Sequence, residues 1–146
     1  MKIQKILVPI DFSEESLVAL DYAIEFAKAF DAVIDLMHSY QINPGALVPY
    51  GPAIPVDIYE DLRHAATVEL QKVQKRAQEA GVESHLHLSQ DVPASAIVDA
   101  AKELSSDLIV IGTRGLTGLK HILLGSVAER TVRYAPCPVL TVGHEA

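Results

Sequence analysis

The chain has 146 residues, 49% of them apolar, a formal net charge of −7 and one cysteine. A chain of this size and apolar content can bury a core without disulfides or a structural metal, and its acidity argues against the broad basic surface that non-specific nucleic-acid binding needs. Cys137 cannot form an internal disulfide, MKIQKILVPIDFSEE turns acidic too early for a secretory leader, and no apolar run approaches the roughly 20 residues that cross a bilayer. The expectation is a single domain over 1–146, cytoplasmic, with neither nucleic acid nor membrane as partner.

KILVPI is a short aliphatic run of the kind found in buried strands. Ser13 follows as a natural helix N-cap, with Glu14 and Glu15 in the first turn. Leu17, Leu20, Ile24 and Ala27 recur at helical spacing, so a helix is predicted to about Phe30. AVIDLMHSY reads as the second strand. The next stretch, Gln41 to Asp57, holds four of the eight prolines and two glycines and is predicted as a long irregular loop. Ile58, Leu62, Ala66, Leu70, Val73 and Ala77 then mark a helix that stops at Gly81. VESHLHL alternates as a third strand. Pro93 suits the first turn of a helix carrying Ile97, Val98, Ala101 and Leu104. DLIVIG is the fourth strand, Ser126 to Tyr134 the last helix, and PCPVLTV the fifth strand.

Strands alternating with helices imply a doubly wound α/β domain, a parallel sheet covered on both faces. Its ligand site is expected at the carboxyl ends of the strands, where the strand order reverses.

The segment IGTRGLTGLKHILLGSV falls at such a strand end. Gly112 closes the fourth strand, Gly115 and Gly118 lie in the loop, and Gly125-Ser126 opens the last helix. Glycines allow close backbone approach to a phosphate, and the free N–H groups of Ser126, Val127 and Ala128 would point at it. From Leu108 to Ala128 there is no acidic residue, while Arg114 and Lys120 add positive charge. The alternative is that the glycines shape a turn and Ser126 belongs to an ordinary helix start. Neither G-x-x-x-x-G-K-[ST] nor G-x-G-x-x-G occurs in the chain.

Gly112-x2-Gly115-x9-Gly125-Ser126 resembles the ATP-binding signature of the universal stress protein family. The likeness extends to KILVPIDFS, to DLMHSY and to the stretch from Asp107 to Val142. The resemblance implies a Rossmann-like five-stranded parallel sheet in the order 3-2-1-4-5, with an adenine nucleotide between the first and fourth strands. It further implies ATP, with Mg2+, as ligand and a homodimer paired through the last strand. Pro9, Ile10 and Asp11 match positions that contact adenosine, although Ile10 stands where Thr or Ala is frequent. Asp11 reads either as a ribose or base contact or as a carboxylate capping the first helix. Ser39 matches an adenine-wall position that is often aliphatic. Gly112, Thr113, Arg114, Gly115, Gly125, Ser126 and Val127 match the phosphate-binding stretch. His121, within that loop, either approaches the phosphates or faces solvent.

Three functions remain open on these residues: an ATP-binding regulatory protein, a slow ATP hydrolase or nucleotidyl transferase, and a dimeric stress protein without nucleotide. The first is favoured, because no acidic Mg2+ ligand or general base lies near the glycine loop in sequence. Elsewhere, His85-x-His87 has metal-ligand spacing but no evident third ligand, and reads as a packed or solvated pair. Cys137, between two prolines, reads as a small buried hydrophobe. Asp35 interrupts a strand in a way that sequence leaves undecided.

Overall fold

The computed structural model describes residues 1–41, 56–114 and 124–143. The first strand, β1 (Lys5–Pro9), buries Ile6, Leu7 and Val8. Helix α1 (Glu14–Phe30) begins where Ser13 Oγ accepts the Ser16 N–H at 3.2 Å. Ala19, Leu20, Ala23, Ile24 and Ala27 form its buried stripe. It ends at Asp31, left-handed at φ 55°, whose N–H returns to the Ala27 carbonyl. Strand β2 (Val33–Ser39) follows, then α2 (Val56–Glu79), β3 (Ser84–Ser89), α3 (Pro93–Glu103), β4 (Leu108–Gly112), α4 (Ser126–Tyr134) and β5 (Val139–Val142).

Residues 42–55 of the expected irregular loop lie outside the described residues, but Val56 and Asp57, assigned to that loop from the sequence, begin α2. The helix stops at Glu79, and Gly81 takes the left-handed turn at φ 77°. Leu70 and Ala77 are fully buried and Val73 packs beside them, whereas Leu62, expected on the same stripe, is exposed.

All five strands are parallel, in the order β3-β2-β1-β4-β5. Because strand side chains alternate, the two faces carry different cores. Ile6, Val8, Ile34, Leu36, Leu108 and Val110 pack against α1 and α2. Leu7, Met37, Ile109 and Ile111 pack against α3 and α4. The order reverses between β1, which continues to β2, and β4, which continues to β5. At that junction only Ile6↔Leu108 and Leu7↔Ile109 are in register, against five pairs between β1 and β2. Beyond them the strands diverge, as the switch-point rule requires.

Candidate functional site

A cleft of about 570 Å³ opens at the carboxyl ends of β1, β2 and β4. Its apolar wall comes from Ile10, Met37, Pro93, Ile97, Ile111 and Val127. Of the residues singled out from the sequence, Pro9, Ile10, Asp11, Ser39, Gly112, Thr113, Arg114, Gly125, Ser126 and Val127 all line it. Elements spread over more than 100 residues of chain therefore converge on one space. Gly115 and His121, with Gly118 and Lys120, lie outside the described residues.

The turn from β1 into α1 sets the Asp11 carboxylate. Oδ1 accepts the Ser13 N–H at 2.9 Å and the Ser13 hydroxyl at 2.5 Å. Ser13 in turn caps Ser16, so the two readings of Asp11 are compatible: one oxygen organises the helix start while the residue lines the cleft. Phe12, between them, is left-handed at φ 65°, an uncommon conformation for a bulky residue. Its ring packs on His38, with centroids 4.6 Å apart. His38 Nδ1 lies 2.7 Å from the Ile10 carbonyl, and that geometry makes the nitrogen a donor. Together these contacts fix Ile10 and Asp11 against β2.

Ser39 Oγ donates to the Asp91 carbonyl and so ties the end of β2 to the turn before α3. Its hydroxyl is thereby partnered within the protein, which reduces the polarity it presents to the cleft.

The glycines have packing reasons of their own. A Cβ on Gly112 would stand 3.0 Å from Glu15 Cβ and 3.1 Å from the Glu15 backbone, so α1 can cross β4 this closely only over a glycine. A Cβ on Gly125 would meet the Thr113 carbonyl at 3.1 Å, and the Gly125 N–H donates to that carbonyl at 2.6 Å. This contact brings the N-terminus of α4 back to the end of β4. Gly125 is also the N-cap of α4 and offers no side chain to accept from the first turn. Ser126, Val127 and Ala128, whose N–H groups lead the helix, line the cleft.

Charge is where sequence and structure part. The stretch from Leu108 to Ala128 lacks acids, yet the fold brings acids to it. Arg114 Nη2 lies 3.6 Å from Glu15 Oε1, and both side chains are less than a fifth exposed. Glu129, one residue past the acid-free stretch, also lines the cleft and pairs with Arg133 at 2.5 Å. Glu15 is missed in sequence because its helix-start position explains it completely. Met37, Pro93 and Ile97 are missed because they read as core, although a site at the switch point must draw a wall from the helix above it.

Outside the cleft, Asp35 is buried in β2 with His87 Nε2 2.8 Å from its Oδ1. His85 Nδ1 lies 3.6 Å from the same oxygen and its Nε2 3.1 Å from Glu83. The strand register explains the cluster: Asp35 pairs with His85, and His87 follows on the same face. The two histidines thus serve a buried carboxylate. Cys137 is half-buried against the α3–α4 core, and burial, then the charge of Asp107, pushes its thiol pKa up.

Parallel strands in this order, with an apolar cleft and a helix N-terminus at the reversal, define a Rossmann-like domain with a cleft at the switch point. Within that class, the chain belongs to the universal stress protein family, whose model matches residues 2–143. It is 43% identical over 139 residues to universal stress protein MJ0531 of Methanocaldococcus jannaschii, covering 95% of this chain and 81% of that one. Among solved structures it is similar to protein MJ0577 of the same organism, with a TM-score of 0.83 and 27% identity over 100% and 99% of the two chains. A universal stress protein in complex with cAMP matches with a TM-score of 0.68 and 29% identity, over 98% of each chain. One from Archaeoglobus fulgidus in complex with dAMP matches at 0.69 and 27%, over 97% and 99%. No helix among the described residues is long and apolar enough to cross a membrane.

Proposed function

We propose that this chain is a regulatory protein that binds an adenine nucleotide, ATP with Mg2+ in the cell, in the cleft between β1 and β4. The observation that carries the reading is the α4 N-terminus, which opens into the cleft without a side-chain cap and beside Arg114. Free N–H groups, the helix dipole and a guanidinium together favour an anion. The apolar wall of Ile10, Met37, Ile97 and Val127 suits a flat base, and the oriented Asp11 carboxylate suits a ribose hydroxyl or the base edge. The relatives solved with cAMP and dAMP support the same reading, since adenosine and its 2′-deoxy form share everything but one hydroxyl. Gly115 and His121 join the phosphate contacts in this proposal, and the protein acts as a homodimer joined along β5.

A second reading, slow hydrolysis of the bound nucleotide, gains from one feature. Glu15, beside Arg114, and Glu129, in the cleft lining, add carboxylates next to a stretch that carries none in sequence. Carboxylates are the groups that hold Mg2+ or position a water in phosphoryl transfer.

One experiment addresses both. The protein is purified without added nucleotide and denatured, and what it releases is identified by chromatography and mass spectrometry. Near-stoichiometric ATP is the expected result. A release dominated by ADP would favour the hydrolase. An empty protein that also fails to bind ATP and Mg2+ in calorimetry would overturn both readings and leave the dimer without nucleotide.

A further inference from the structure

We propose that Glu15 is an internal competitor for the ligand's phosphate: it holds Arg114 when no phosphate is present and so sets how strongly the cleft prefers nucleotides by their phosphates. The inference rests on the adenine-nucleotide reading of the cleft and concerns a residue outside the glycine signature.

Glu15 is fixed by two independent features. It sits in the first turn of α1, where the helix dipole favours a carboxylate. Its backbone and Cβ also cross β4 over Gly112, where a side chain would meet them at 3.0–3.1 Å, so the absence of a Cβ at 112 lets the base of Glu15 lie this close to β4. From there it reaches Arg114 across the cleft's rim. The pair stands at 3.6 Å, too long for a hydrogen bond, so among the described residues Glu15 does not engage the guanidinium fork closely. A phosphate oxygen pair would engage that fork bidentately and at shorter range. With side-chain exposures of only 18% and 17%, however, neither charge is freely solvated, and separating them costs more than it would at the surface.

The other acids described at the cleft are bonded to groups other than Arg114. The Asp11 Oδ1 takes two donors from Ser13, and Glu129 is paired with Arg133. Glu15 is therefore the carboxylate whose partner the phosphate would take. A ligand whose phosphate does not reach Arg114 leaves the pair intact and avoids this cost. A ligand that reaches it must separate the pair and then lie near an unpaired carboxylate. Glu15 thus weakens phosphate binding by an amount that grows with the charge delivered to Arg114, and it leaves adenosine unaffected.

Calorimetric titration of adenosine, AMP and ATP with Mg2+ into wild type, Glu15→Gln, Arg114→Gln and the double variant tests this directly. Glu15→Gln should tighten ATP by roughly 3- to 10-fold, the scale of one partly screened ion pair, and leave adenosine unchanged. Glu15→Asp, whose carboxylate is drawn back by one methylene, should fall between the two and serves if the amide variant folds poorly. In the Arg114→Gln background the gain from Glu15→Gln should disappear, because the competition acts through Arg114. ATP affinity unchanged or weakened by Glu15→Gln, an equal change for adenosine, or a gain that persists without Arg114 would each overturn the proposal. Failure of wild type to bind either adenosine or ATP would overturn it together with the underlying reading, and wild type alone reveals that outcome.

Discussion

Asp11 illustrates how one side chain carries structural and functional demands at once. Its Oδ1 is held by both donors of Ser13, so the carboxylate is oriented before any ligand arrives. If the proposed function holds, Asp11→Ala should weaken ATP by about 1.5–3 kcal/mol, the range for a hydrogen bond to a charged group, as measured by calorimetry. Because Ser13 keeps its bond to Ser16, α1 should still form, and circular dichroism of the variant should match wild type. Cys137 makes the opposite case, a reactive type in an unreactive place. With its pKa raised by burial and by Asp107, it should alkylate with iodoacetamide more slowly than a free thiol at pH 8 and accelerate as the pH rises. The sign for stability follows. A thiol that ionises less readily when folded contributes stability present in full below the ordinary value of 9.0, and that stability is lost as pH climbs through the raised one.

The elements were legible to different degrees, for physical reasons. The aliphatic runs of β1 and β4, the Ser13 start of α1 and the Gly125-Ser126 start of α4 are local signals, and each element begins where its own residues place it. The exposure of Leu62 in α2 was not legible, because periodicity reports which residues share a stripe and not how deeply each is covered. Asp35 gave no local sign of its place, since its partners His85 and His87 lie about 50 residues away on a neighbouring strand. The glycines were legible as important but only half legible in cause. Gly112 and Gly125 are required by backbone packing whatever occupies the cleft. Gly112→Val should therefore lower stability by about 1–3 kcal/mol, the cost of overpacking, in urea denaturation without ligand. A Gly112→Val protein as stable as wild type would mean that α1 can retreat from β4.

For the whole molecule, the strand order and the placement of the cleft followed from alternation and from the family likeness, whereas the charge at the cleft's rim depended on contacts between distant elements. In the proposed homodimer the seam is β5, the edge strand. The Thr113 N–H donates to Val142 O and the Ile109 N–H to Pro138 O, so even-numbered residues of β5 face β4. By alternation the N–H and C=O of Thr141 face outward, available to a second chain. Thr141→Pro removes that outward donor and spares the ladder to β4. Light scattering should find it monomeric and wild type dimeric if β5 forms the seam, and a dimeric Thr141→Pro would place the contact elsewhere.

The short register between β1 and β4 has a mechanical meaning. The sheet consists of a three-stranded part and a two-stranded part joined by two residue pairs and spanned by α1. A nucleotide touching Ile10 and Asp11 on one side and Ser126 on the other would fasten the two parts together, like a rivet through a lap joint. Its signature would be slower hydrogen exchange at the ends of β1 and β4, with little change of shape. Information about the ligand would then leave the site as stiffness.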